Sequence, residues 1–179
     1  KETAGGFGSD VITLFTNGTL IDRQKAERMA ALKVVPYVKL YSTRSWVHDQ
    51  MVGLKGAWRK VLDGIDYLMD AGYGGDRLPI SLESIVVRKN LQDMPTMWRY
   101  ARERGMIPYF ERFVGCHYDG DPGELLSPME LKYLWEELWL LDRGEYGYTW
   151  PLLPLRVGYS CLANYYSLYV NYEGDVRPC

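Results

Sequence analysis

The side chains of this chain that can do chemistry gather at the ends of apolar runs. Thr16-Asn17-Gly18 closes the run Val11 to Phe15. Glycine lets a backbone approach a ligand, and Asn offers both a donor and an acceptor, so the triplet can cradle a small molecule or make an ordinary turn. Ser42 and Thr43 close a second run, with His48 and Asp49 just beyond. Hydroxyls at such a position suit a carboxylate or a ribose. His48 and Asp49 can form an acid/base pair, but the plainer reading, that they cap and pin the segment, is preferred. Arg88 and Asn90 close a third run, and Glu111 lies in a fourth between Phe110 and Phe113, where a carboxylate is costly unless paired.

The cysteines form a separate set. Twelve residues separate Cys161 from Gly174 and four more lead to Cys179. A β-hairpin with thiols near its base can place both on one metal ion or iron–sulfur cluster; zinc fits as well, and two unrelated buried cysteines fit the same spacing. A third cysteine, Cys116 in Gly115-Cys116-His117-Tyr118-Asp119-Gly120, reads as a lone loop thiol. An odd, sparse set argues against a secreted disulfide framework and for a reducing, cytoplasmic setting.

The elements that must position these residues follow from hydrophobic periodicity. Val11 to Phe15, Val34 to Tyr41, Leu78 to Val87 and Ile107 to Phe113 read as strands. Asp22 to Leu32, Lys55 to Ala71 and Asp93 to Arg104 read as helices, and Ser42 to Gly53 as a polar loop. Ser127-Pro128-Met129-Glu130 is a capping-box start for a helix running to about Asp142. Strands alternating with helices predict an α/β fold with a parallel sheet, a barrel or half-barrel of (β/α) units first and a doubly wound sheet second. The character changes after Tyr146, so residues 1–145 read as one domain and 146–179 as the start of another, with a hairpin of Tyr165 to Val170 and Asp175 onward.

Composition narrows the classes. A net charge of −2 with scattered Lys and Arg gives no nucleic-acid footprint and no attraction to an anionic membrane. No apolar run reaches the roughly 18 residues that span a bilayer. A chain that begins on Lys1 and ends on Cys179 is expected to be an internal piece of a longer protein.

Taken in order, these pieces resemble the radical SAM enzymes that carry a SPASM or twitch-type extension. The resemblance rests on Leu14-Phe15-Thr16-Asn17-Gly18-Thr19-Leu20-Ile21, on His48-Asp49 through Gly53, on Gly56-Ala57-Trp58, on Gly64-Ile65 with Leu68 and Ala71-Gly72, and on Leu168 to Cys179 with Cys161 before it. It implies a partial (β/α)6 barrel of which strands three to six are present, followed by the β-hairpin of a cysteine-rich extension. It also implies a [4Fe–4S] cluster on a CxxxCxxC motif, which this chain lacks along with a Gly-Gly-Glu motif, and cleavage of S-adenosylmethionine to a 5′-deoxyadenosyl radical. By resemblance, Thr16, Asn17, Gly18, Ser42, Arg88 and Asn90 lie near S-adenosylmethionine, and Cys161 and Cys179 ligate an auxiliary [4Fe–4S] cluster. The substrate would be a peptide or protein, the electron donor a flavodoxin or ferredoxin, and the piece inactive alone. The rival reading is a non-catalytic (β/α) peptide-binding module with a structural zinc or no metal.

Overall fold

A computed structural model describes residues 12–113, 122–150, 169–170 and 173–177. Four strands, β1 (Thr13–Thr16), β2 (Val35–Lys39), β3 (Ser81–Val86) and β4 (Ile107–Arg112), form one parallel sheet in the order β1-β2-β3-β4. Phe15 lies opposite Tyr37, Lys39 opposite Glu83, and Glu83 opposite Tyr109. Strand order therefore follows chain order without reversal. A doubly wound sheet needs a reversal to put helices on both faces, so that alternative does not describe these strands. Right-handed crossovers between successive neighbours bring every helix to the same face.

Side-chain alternation shows which face that is. Val38, Leu82 and Phe110 point into the core, where they join Val61, Ile65 and Leu68 of α3 (Ala57–Asp70) and Met97 and Ala101 of α4 (Met94–Glu103). The opposite face carries Phe15, Tyr37, Lys39, Glu83, Tyr109 and Glu111 by register. Phe15 and Ile107 on that side are half exposed.

Local chemistry explains the boundaries. Asp22 caps α1 (Arg23–Ala31) by accepting from the Lys25 backbone at 2.8 Å. Ser127 and Glu130 make the expected capping box of α5 (Pro128–Leu141). One expectation fails: Ser42 to Gly53 is not a polar loop but contains α2 (Ser45–Val52), closed by Gly53 in the left-handed region at φ 70°. Its stripe is only Val47 and His48 on the buried side, too short to show as periodicity. Beyond α5 a single π-type turn, Asp142–Tyr146, buries Asp142 against Arg102 through two hydrogen bonds of 2.8 and 2.7 Å. Trp150 follows, donating to Asp142 at 3.0 Å and packing on Trp98 and Trp135, so this aromatic arm serves the core.

Near the C-terminus, β5 (Tyr169–Val170) and β6 (Val176–Arg177) form an antiparallel pair, in the expected hairpin order; residues 165–168 of that expected hairpin lie outside the described residues. No helix among the described residues is long and apolar enough to cross a membrane.

A close backbone approach lies between α3 and the turn after β1. A Cβ on Gly64 would meet the Gly18 carbonyl oxygen at 2.3 Å, and that oxygen is backbone that cannot swing aside. Gly64→Ala is therefore expected to destabilise the protein by about 1–3 kcal/mol, the cost of overpacking. Urea unfolding of the intact protein measures it; an unchanged midpoint would show that the turn moves freely.

Candidate functional site

The strands run parallel, so the tips of β1, β2 and β3 share one edge, the edge at which (β/α) sheets bind ligands. A cleft of about 190 Å³ opens there, with Asn17, Thr19, Lys39, Tyr41 and His48 supplying polar groups and Val61 an apolar wall.

Thr16-Asn17-Gly18 is built as a shaped turn. The Gly18 N–H donates to Thr16 Oγ1 at 3.1 Å, and the backbone and hydroxyl of Thr19 both donate to Asn17 Oδ1, at 3.2 and 3.0 Å. This occupies the amide oxygen and leaves the NH2 as the donor that Asn17 offers a ligand. Gly18 adopts φ 72°, and a Cβ there would stand 2.9 Å from Val38 Cγ1, so the position requires glycine.

Ser42 and Asn90 lie under the rim rather than on it. Both are fully buried. Ser42 Oγ donates to Asp93 Oδ2 at 2.5 Å and accepts from the Arg44 N–H at 2.8 Å, and the Ser42 carbonyl accepts from Trp58 Nε1 at 3.2 Å. Arg44 completes the latch with a 2.8 Å ion pair to Asp93. Asn90 Nδ2 donates to the carbonyls of Tyr41 and Ile85, each at 2.9 Å, while its Oδ1 accepts from the Val87 N–H at 2.9 Å. These side chains tie the tips of β2 and β3 together.

Arg88 turns away from the cleft. It makes two bonds to Glu130, at 2.6 and 3.0 Å, and donates to the carbonyls of Gly123 and Leu125. The Arg88 guanidinium, helped by Ser127, holds the Glu130 carboxyl down to about 2. Arg88 anchors α5.

The plainer reading of His48 and Asp49 is what the structure shows. Buried His48 accepts the Tyr41 N–H on Nδ1 at 3.2 Å and stacks on the Tyr41 ring. Asp49 accepts from the backbone of Gly56 and, at 2.8 Å, of Trp58, which starts α3. Those N–H groups hold the Asp49 carboxyl below its ordinary range. Glu111 accepts from the Tyr109 hydroxyl at 2.9 Å.

Sequence reading passed over Thr19, Lys39 and Tyr41 in the cleft and Glu83 beneath it. The available signal was a lone charge at alternate positions of an apolar strand, Lys39 in β2 and Glu83 in β3. Cys116, Cys161 and Cys179 lie outside the described residues. Among the described residues no three His, Cys, Asp or Glu side chains are grouped to hold a metal ion. The cleft itself, with a free amide donor, hydroxyls and an apolar wall, has the donor set a nucleoside needs, but no thiolates for a cluster.

No protein-family model matches the chain. It is 27% identical over 128 residues to the AdoMet-dependent heme synthase of Methanosarcina barkeri, covering 69% of this chain and 35% of that protein. It is 24% identical over 177 residues to the antilisterial bacteriocin subtilosin biosynthesis protein AlbA of Bacillus subtilis, covering 94% of this chain and 38% of that protein. The chain thus spans little more than a third of these curated relatives. Among solved structures it resembles anSMEcpe with bound AdoMet, at a TM-score of 0.59 and 18% identity over 74% of this chain and 37% of the other. The same enzyme with AdoMet and the Kp18Cys peptide gives a TM-score of 0.60. At that identity the likeness speaks for the fold alone.

Burial lowers the His48 pKa, with Asp49 pulling partly the other way. A base with a lowered folded value binds fewer protons folded than unfolded. Its contribution is complete above the ordinary value of 6.5 and is lost as the pH falls from there through the folded value. Denaturant unfolding at about pH 7.5 and about pH 5.5 is expected to show a smaller stability loss in His48→Asn than in the wild type. Equal losses would mean that imidazole protonation leaves the Tyr41 contact intact.

Proposed function

We propose that this chain belongs to a radical SAM enzyme with a SPASM-type extension, a reading supported by its likeness to the AdoMet-dependent heme synthase and AlbA, and that the protein carrying it cleaves S-adenosylmethionine reductively to modify a peptide or protein. The observation that carries the reading is the cleft at the tips of β1 and β2, on the ligand-binding edge of a parallel sheet wound in chain order. The peptide assignment is supported by AlbA, named for bacteriocin biosynthesis, and by the anSMEcpe complex with a peptide.

In this account residues 1–145 supply strands three to six of a (β/α)6 barrel, and 146–179 begin the SPASM-like extension. Asn17 donates its amide N–H to the bound nucleoside or amino-acid portion, Thr16 and Gly18 hold that amide in place, and Tyr41 and Thr19 border it. Ser42 and Asn90 act by fixing the strand tips through Asp93 and the Tyr41 carbonyl. The apolar wall at Val61 keeps water from the cleft. A [4Fe–4S] cluster, when bound, supplies the electron that breaks the sulfonium bond. Cys161 and Cys179 would be ligands of an auxiliary cluster, and a cytoplasmic flavodoxin or ferredoxin would be the electron donor. The sequence of this chain holds no CxxxCxxC motif, so turnover would need the cluster supplied by the rest of the protein.

Anaerobic iron and sulfide analysis of the intact protein, with electron paramagnetic resonance, tests the reading. Iron in excess of one [4Fe–4S] cluster per chain, with a reduced signal that shifts on adding S-adenosylmethionine, is expected. Zinc alone, or no metal, in protein never exposed to air would favour the binding module instead. Asn17→Ala is expected to weaken S-adenosylmethionine binding by about threefold to tenfold, the worth of one hydrogen bond; calorimetry reads it, and an unchanged affinity would remove Asn17 from the site.

A further inference from the structure

The face of the sheet opposite the helices holds a polar group that its neighbours do not satisfy. Glu83 stands in the middle of β3 with only 2% of its surface exposed. Its Oε2 has no hydrogen-bond partner, and its ion pair, Lys39 Nζ, stands off at 3.6 Å, beyond a hydrogen bond. Two residues earlier, on the same face, Ser81 Oγ is likewise buried without a partner. A buried carboxylate whose nearest cation stands 3.6 Å away and a buried hydroxyl without a hydrogen-bond partner, two residues apart on one face, are costly to keep. Burial pushes the Glu83 carboxyl up, Lys39 draws it back in part, and the Glu111 carboxylate adds to the rise.

Aromatic rings explain the burial. Tyr37 lies opposite Ser81 on one side of β3, and Tyr109 lies opposite Glu83 on the other. Their strands are two spacings apart, roughly 9.5 Å, yet the ring centroids are 5.2 Å apart, edge to face. The rings therefore lean towards each other over β3. Phe15 continues the cluster 4.7 Å from Tyr37 and is itself 51% exposed.

We propose that Glu83, Ser81 and the Tyr37–Tyr109 pair form a recognition subsite for an organic cation, an ammonium or guanidinium group of the substrate. Glu83 Oε2 and Ser81 Oγ accept its N–H groups. The ring faces attract its charge and its alkyl stem, the combination by which proteins select alkylated cations over neutral groups. Glu111, held by the Tyr109 hydroxyl, adds negative potential from the next strand. Lys39 at the mouth is one-third exposed and is the group the incoming cation displaces from Glu83. The inference rests on this face being the substrate side of the proposed enzyme. Its test needs neither cluster nor S-adenosylmethionine, so the two readings can fail separately.

Ligand-observed NMR on the intact protein, with butylammonium and butylguanidinium as probes and 1-pentanol as a neutral alcohol of similar length to butylammonium, decides it. Both cations are expected to bind saturably and 1-pentanol at least about tenfold more weakly; Glu83→Gln is expected to weaken the cations about tenfold or more, as loss of a charged hydrogen-bond partner does. Tyr37→Leu is expected to weaken the cations about threefold or more by removing a ring face. Equal binding of pentanol and the cations, or wild-type cation affinity in folded Glu83→Gln, overturns the proposal. The wild-type comparison of cation with alcohol stands even if neither variant folds.

Discussion

Chain order in the sheet governs the rest of this structure. Because β1, β2, β3 and β4 neighbour one another in sequence order and run parallel, each crossover must pass on the same side. One face of every strand then belongs to the helices, and Val38, Leu82 and Phe110 fill it. The other face carries aromatic and charged side chains, and among the described residues no helix packs on it. A sheet wound with a reversal would cover both faces and leave only a crevice at the switch point. Here the cleft at the strand tips opens beside that face, with Lys39 lining it.

The tips are held by buried polar contacts rather than by apolar packing. Asp93 gathers Ser42 and Arg44, Asn90 bridges the Tyr41 and Ile85 carbonyls, and Asp49 caps α3. Such networks are rigid because any broken member leaves an unsatisfied group in a low-dielectric setting. That rigidity fixes the Tyr41 backbone, and through it the position of His48 and the wall of the cleft. Polar residues at the ends of strands thus divide into those that line the cleft, such as Asn17, and those that build the frame, such as Ser42 and Asn90.

This division limits what the sequence reveals. The strands, the long helices and the capping box of α5 were legible because each depends on local pattern: period two, period near four, and Ser127 three residues before Glu130. The α2 helix was not, since its buried side is two residues wide and its stability comes from tertiary contacts. The triplet Thr16-Asn17-Gly18 was rightly expected at a strand tip, but a one-dimensional pattern cannot say whether Ser42 points to a ligand or to Asp93, fifty-one positions away. Arg88 illustrates the same limit, with its partner Glu130 forty-two positions on. Lys39 and Glu83 escaped notice because each is a single charge within an apolar strand, and their meaning comes from register across the sheet. The antiparallel pairing of β5 with β6 follows the hairpin order read from the sequence; the cysteines expected to flank it lie outside the described residues.

The central claim is that the strand-tip cleft serves reductive cleavage of S-adenosylmethionine. The most direct measurement is anaerobic incubation of the intact, cluster-loaded protein with S-adenosylmethionine and dithionite, followed by chromatography of the products. The account predicts 5′-deoxyadenosine and methionine, formed only when the reductant is present. Recovery of intact S-adenosylmethionine from protein that holds its full complement of reduced clusters would contradict it.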